Sequence, residues 1–399
     1  MRGKLIKDKN FQFVSLVLAF IIVFLVGFGL GTGQIDFHLG GENSKLPNSL
    51  NYSEIQQEYT ILKNNYDGNL NFNNLEDGIL NGLANATGDV HTNYFNAAQS
   101  KEFTEELNNT FSGIGVELDN NSSNQIVVVS TLAGTPAAKA GLSTNDVISS
   151  INGKTTQGES LDSAVSAIRG SNGSSVVLGI IRGSNDISLK IVRANIVVPS
   201  VNYKILSNNI GYINIISFAN DTPQLALQAA NYLKQHNVSG IILDLRDNPG
   251  GLVSSAVSVS SLWLPQGSLI MTEKHNNVAI QTYQAVGGNI LDGIPTVVLI
   301  NNGSASASEI TAGALKDNHV ATLIGEKSYG KGSVQQIFNL NGGSEIKVTI
   351  AHWFTPDNIN IDKIGITPDI VVPLTQTDQV NGVDSQENAA ISYLLSHAE

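Results

Sequence analysis

The sequence predicts a multidomain chain of the α/β and β classes. A mixed-sheet α/β core follows an inserted small β domain and a helical N-terminal segment. Three observations predict this. From about residue 196, apolar β-branched runs alternate with helix-forming stretches, the order of strands and helices layered on a mixed sheet. Between about 110 and 195, short alternating runs are punctuated by glycine-rich and Asn-Gly turns. Between 51 and 109, apolar and aromatic residues recur at helical spacing, as at Ile55, Tyr59, Leu62 and Tyr66.

The bounds fit that reading. A chain of 399 residues with 41% hydrophobic and 14% charged residues is long enough for several domains with a sizeable core. A net charge of -12, with no long basic run beyond the N-terminus, argues against nucleic acid as a partner. The absence of cysteine excludes disulfides, thiolate metal sites and a cysteine nucleophile. The seven histidines are scattered and no HExxH occurs, so no metal or other cofactor is expected.

Residues 1–12 carry Arg2, Lys4, Lys7 and Lys9 ahead of an uncharged apolar stretch, Phe13–Gly31. At ~1.5 Å per helical residue this stretch nearly crosses a hydrocarbon core of about 30 Å. The basic flank places the rest of the chain outside the cytoplasm, a single-pass anchor in the cell membrane. A cleaved signal peptide competes, although no clear A-x-A site follows Gly31. Residues 32–50 read as a polar tether, and 51–109 as a helical packing collar.

In the segment 110–195, Gly113-Ile114-Gly115-Val116 opens an alternating strand. Such a loop can turn successive N–H groups toward one anion. Ile126–Ser130 reads as a strand, and Pro136 starts a short helix that stops at Gly141. Asp146–Lys154 reads as a strand ending in an Asn-Gly turn, Leu161–Arg169 as an amphipathic helix, and Val176–Ile181 as a strand. The order resembles a PDZ domain. The resemblance implies capture of a free chain end, which adds a strand while its carboxylate enters the loop Gly113–Val116. Arg169, ending the second helix, is either solvated or couples ligand occupancy to the downstream domain.

The core, 196–375, opens with a strand at Asn209–Ile216 and a helix at Pro223–His236. The buried strand Gly240–Leu245 then runs through Asn248-Pro249-Gly250-Gly251 into a helix at Leu252–Trp263. Two glycines between strand and helix leave backbone N–H groups free for a developing oxyanion. Thr296–Ile300 is a second buried strand. After it Ser304, Ser306 and Ser308 alternate with alanines and enter a helix from Glu309, a place to expose a serine at a positive helix end. Ser306 reads as the nucleophile and Lys331, between Gly330 and Gly332, as its base, with Gln335 orienting the amine. A lysine serves if burial lowers its pKa. Neither His319 nor His352 has an evident claim to that role. The stretch GEKSYGK lacks the Ser/Thr and the helix that a nucleotide loop requires.

The stretches LDLRDNPGG, VVLINNGSASASEITAGALKD and GEKSYGKGSVQQ resemble the C-terminal processing peptidases, also called tail-specific proteases. The likeness extends from about residue 50 to the end. It implies a ClpP/crotonase-like serine protease core that acts on protein substrates with free, apolar C-termini. It implies Ser306 as nucleophile, Lys331 as base and Gln335 as the lysine's helper. Backbone N–H groups around Gly250 or Gly251, and at Ala307, would form the oxyanion hole. Val90 stands where the family usually has proline, and Asn358-Ile359-Asn360 where it usually has Gly-Arg-Ser. In the tail, 376–399, a short helix at Glu387–His397 shows one apolar face, for which docking and homodimer contact are both open.

Overall fold

The structure is a computed structural model that describes residues 52–375, 378 and 382–397. The basic N-terminus, the span Phe13–Gly31 and the tether lie outside the described residues. Among the described residues no helix is long and apolar enough to cross a membrane.

A first compact unit ends at Leu75 and contains the helix Tyr52–Asn65, whose Tyr59 ring lies 6.3 Å from that of Phe72. The second unit begins at Glu76. Its centre is a six-stranded sheet in the order Val201–Ile205, Ile210–Ile215, Gly240–Asp244, Thr296–Ile300, Thr322–Gly325, Ile370–Val371. The first pair is antiparallel and the remaining pairs are parallel. Gly240–Asp244 and Thr296–Ile300 are buried at every position, as continuous apolar runs in the middle of a parallel sheet must be.

Alternate side chains of these strands serve two cores. On one face Ile213, Ile241, Leu243, Val298 and Leu323 pack with the helices Thr222–Gln235, Val253–Ser260 and Ala307–Asp317. On the other, Ile210, Ile242, Val297, Leu299 and Ile324 pack with Ala390 and Leu394. The C-terminal helix, Ser385–Ser396, therefore docks on its own sheet. A partly buried ion cluster fixes its start. Arg246 pairs with Asp244 at 2.6 Å and with Asp384, the helix N-cap, at 2.8 Å. The Tyr212 hydroxyl donates to Asp244 at 2.6 Å, and burial next to that carboxylate pushes its pKa far up.

A second sheet is built on a hairpin that the sequence does not mark. The hairpin Leu269–His275/Val278–Gln284 pairs with the long strand Glu345–Phe354, which also pairs with Ser333–Asn339 and Asn93–Phe95. The hairpin mixes charged, amide and apolar residues, and its second strand is mostly exposed, so no clean alternation marks it. The chain also stops the helix after the glycine turn at Ser260, short of the expected Trp263.

The small β domain has its own core around Ile114, Val128, Ile148, Leu178 and Ile180. Its sheet runs Val116–Asn120, Ile126–Thr131, Val147–Ile151, Ser175–Arg182, Asn185–Val192. Val116–Asn120 is an edge strand, paired with Ile126–Thr131 alone among the described strands, and the helix Leu161–Ile168 packs beside it. A free edge beside a helix is the geometry that accepts an added peptide strand.

Candidate active site

The strand Thr296–Ile300 ends in a turn that delivers Ser306 to the N-cap position of the helix Ala307–Asp317. Ser306 adopts φ 54° and ψ −114°, which only glycine reaches without strain. Such strain is of order 1–3 kcal/mol and persists only where surroundings enforce it. The enforcement is visible. The Ser304 hydroxyl donates to the carbonyl of Leu245 at 2.7 Å, and that of Ser308 to the carbonyl of Asn248 at 2.9 Å. The alternating serines thus clamp the Ser306 turn to the glycine turn of the neighbouring strand.

The two turns touch. A Cβ on Gly250 would lie 2.7 Å from the carbonyl oxygen of Ala305 and 3.0 Å from the nitrogen of Ala307, so only glycine fits. Gly250 itself is not a free donor, because its N–H donates to the side-chain oxygen of Asn248 at 2.9 Å. No acceptor among the described residues takes the N–H of Gly251 or of Ala307. Of the three groups expected around an oxyanion, these two remain available.

Lys331 reaches the site from a loop folded against Ser306 by one carboxylate. Glu309 is completely buried. Its Oε2 accepts the N–H of Ser306 and the N–H of Lys331, both at 2.9 Å. Its Oε1 accepts the Ser328 hydroxyl at 2.5 Å and the Gly330 N–H at 2.8 Å. Burial pushes the Glu309 carboxyl above the usual range, while these four donors pull the other way. The sequence reading missed this residue. The only local signal was the S-x-x-E spacing of a helix start, Ser306 to Glu309.

A cleft of about 1000 Å³ is lined by Ser306, Gly250, Gly251, Lys331 and Gln335 together. Burial drives the Lys331 pKa down. The charge of Lys347, another lysine of the same cleft, adds to that effect, and Glu309 opposes it. No hydrogen bond among the described residues joins the Lys331 amine to Ser306. Nor does the Gln335 amide nitrogen reach it, since that nitrogen donates to the hydroxyls of Ser333 at 2.7 Å and Thr349 at 3.4 Å. No histidine lines the cleft. GEKSYGK leads into the strand Ser333–Asn339, where a nucleotide loop would open a helix. The departure at Asn358–Asn360 belongs to the segment that buttresses the lysine loop. There the Lys363 N–H donates to the Gly330 carbonyl at 2.7 Å, and the Gly332 N–H to Asp362 at 3.2 Å. No cluster able to hold a metal ion occurs among the described residues.

The remaining candidates sit in the small β domain, away from this cleft. Gly115 has φ 77°, and a Cβ there would collide with Thr135 at 2.5 Å. The Ile114 carbonyl accepts the N–H of Ala137 at 2.8 Å, whereas the N–H groups of Ile114 and Gly115 meet no acceptor among the described residues. Two adjacent N–H groups of this kind are what an anion-binding loop requires, and Val116 begins the free edge strand beside them. Arg169 is exposed and lies over the Phe111 ring, 5.3 Å from its centre. It lines a second recess with Glu102, Glu105 and Glu106, and this recess shares Glu106 and Asn109 with the cleft.

The likeness to known proteins agrees with this geometry. Residues 209–372 match Peptidase family S41, and residues 103–181 match the PDZ domain. The carboxy-terminal processing protease CtpA of Bacillus subtilis (strain 168) is 34% identical over 376 residues, 94% of this chain and 79% of that protein. The carboxy-terminal-processing protease of Bartonella bacilliformis is 40% identical over 303 residues, 74% of this chain and 69% of that protein. A solved photosystem II D1 C-terminal processing protease superposes with a TM-score of 0.50 at 27% identity, covering 82% of this chain and 88% of that one. The chain therefore belongs to the carboxy-terminal processing proteases of peptidase family S41, serine proteases, and carries a PDZ domain.

Proposed function

We propose that the chain is a membrane-anchored endopeptidase in which Ser306 is the nucleophile and Lys331 its base, and that the PDZ domain captures the apolar carboxylate ends of protein substrates. The observation that carries this reading is the shared cleft. Ser306, Lys331 and the glycine turn line one recess, and Glu309 ties the backbones of both side chains to a single carboxylate.

A lysine accepts a hydroxyl proton only when neutral, and its burial and the nearby Lys347 favour that form. Ser306 Oγ attacks a peptide carbonyl as its proton passes to Lys331. The charge that gathers on the carbonyl oxygen is met by the N–H groups of Gly251 and Ala307. Lys331 returns the proton to the departing amine, leaving an acyl-enzyme. The same lysine then takes a proton from a water that attacks the acyl carbon and passes it to Ser306 Oγ as the C–Oγ bond breaks, which frees the acyl group as a carboxylic acid and restores the neutral amine. Gln335 is assigned to the amine through its side-chain oxygen, because its nitrogen is engaged by Ser333 and Thr349.

Parent and Ser306→Ala protein, each incubated with an unstructured protein ending in apolar residues, test the dyad. The parent is expected to shorten the substrate from its C-terminal side, and the variant to lose at least about 10³-fold in rate. Equal behaviour of the two would end the reading. The stretch Phe13–Gly31 is proposed as the retained anchor, with the protease outside the cytoplasm. Protease added to intact spheroplasts should then digest the domain, while the domain stays in the membrane fraction. Release into the medium would favour a cleaved signal peptide.

A further inference from the structure

Lys347 is a lysine that the mechanism does not use as a reactant, yet it lines the catalytic cleft. It sits on the strand Glu345–Phe354, opposite Asn93 on one side and Ile337 on the other. Its ammonium lies 5.3 Å from the centre of each of two rings, Phe95 and Phe103. Those rings stack on one another at 5.0 Å. Phe95 ends the segment GDVHTNYF, and Phe103 belongs to the helix Ala97–Leu107. The helical collar thus supplies a wall of the cleft.

No hydrogen bond or ion pair engages the Lys347 ammonium among the described residues, and Glu106 and Asp89 act on it only from a distance. A half-buried cation held by ring faces and lacking an ion partner is a costly arrangement unless an anion arrives to share the cleft. We propose that, once the PDZ loop has released it, the terminal carboxylate of the chain being cut passes to Lys347, which so measures the length of the segment removed. The proposal rests on the serine protease reading above and names what that cleft recognises.

The register sets the ruler. Trp353 anchors the lysine loop, donating its ring N–H to the Lys331 carbonyl at 3.0 Å and its backbone N–H to the Gly332 carbonyl at 2.9 Å. From Trp353 to Lys347 the strand extends for ~20 Å at about 3.3 Å per residue. Allowing for the reach of both lysine side chains, about three to six extended substrate residues fit between the cut and the carboxylate.

The test compares one unstructured substrate with a free C-terminal acid, the same substrate as a C-terminal amide, and an amide ending in aspartate. Each is given to the parent, Lys347→Met and Lys347→Arg, with fragments identified by mass. The parent is expected to cut the acid at least about 10-fold more efficiently than the amide, releasing a fragment of fixed length. Lys347→Met is expected to lower that ratio several-fold and scatter the cut positions, and Lys347→Arg to keep the preference. Persistence of the full preference in Lys347→Met would place the discrimination in the PDZ domain and overturn the proposal. A loss equal for acid and amide would leave Lys347 only its electrostatic effect on Lys331, with the same consequence. So would equal cutting of the acid and the aspartate-ended amide by the parent, which would make the anchor a side-chain carboxylate. Failure of the dyad reading is distinguishable, because Ser306→Ala would then cut like the parent.

Discussion

Lys331→Met is expected to lose about 10²–10⁴-fold in kcat/KM on a protein substrate, the usual contribution of a general base. It should do so without losing the fold. The backbone bonds that hold the loop, Lys331 N–H to Glu309 and Trp353 to the Lys331 carbonyl, do not involve the side chain. Methionine keeps most of the aliphatic stem. The parent's pH profile carries the second half of the prediction. Burial, then Lys347, lowers the Lys331 pKa below the usual lysine range. Below that lowered pKa the amine is protonated and cannot accept a proton, so kcat/KM rises with pH through it and levels off above. The stability sign runs the same way. Below the folded pKa both folded and unfolded chains carry the charge, and only the folded one holds it half-buried. That penalty fades as pH climbs toward the unfolded value of about 10.4, because the unfolded chain binds the proton longer. Lys331→Met should accordingly be no less stable than the parent at neutral pH, measured by thermal unfolding. A flat activity profile from mildly acidic to alkaline pH, or a variant that is merely unfolded, would count against the lysine base.

How far the site could be read from the sequence depends on the distance over which its bonds act. That Ser306 and Lys331 belong to one cleft was legible because their motifs are local: alternating serines between strand and helix, and a lysine between glycines. The central strands were legible because burial on both faces leaves continuous apolar runs. The Gly250 N–H was counted as a donor, but Asn248, two residues back, closes a turn on it. The Gln335 amide was aimed at the lysine, but a register shift between Val334 and Gln335 accompanies its bonds to Ser333 and Thr349. The collar was read as packing alone, yet Phe103, Glu106 and Leu107 line the cleft, brought there by the pairing of Asn93–Phe95 with Glu345–Lys347. The docking of the C-terminal helix rests on Arg246 and Asp384, far apart in the chain. Asn248 and Ser333 act from two residues away, whereas the partners of the collar and of the C-terminal helix lie in distant elements, beyond any spacing rule.

Glu309 is the extreme instance, and Glu309→Gln is expected to be the most damaging isosteric change in the protein. The carboxylate offers only acceptors, and four donors converge on it. A glutamine must replace one oxygen with an N–H₂ group. Placed at the Oε2 position, that group faces the N–H groups of both Ser306 and Lys331, leaving two buried donors unpaired. Each unpaired donor costs about 1–3 kcal/mol. Placed at the Oε1 position, it faces the Gly330 N–H and the Ser328 hydroxyl. The hydroxyl can rotate, so this orientation loses less. Yet Ser328 Oγ already accepts the Ile366 N–H at 2.6 Å, and its freedom to reorient is bounded. Loss of stability should therefore fall near 2–4 kcal/mol, given that one or two donors go unpaired. The kinetic effect should exceed the structural one. The two backbones that carry Ser306 and Lys331 diverge together, and misplacement by about 1 Å costs of order 10²-fold. The expected signature is a large fall in kcat with KM little changed, since the PDZ domain and the far cleft wall are untouched. Glu309→Asp, which keeps four acceptor sites on a shorter stem, should recover part of the stability and less of the rate. A Glu309→Gln enzyme with parental kcat and a parental unfolding midpoint would mean that the two turns hold their geometry without this carboxylate, and the account of how Ser306 tolerates its strained backbone would fall with it.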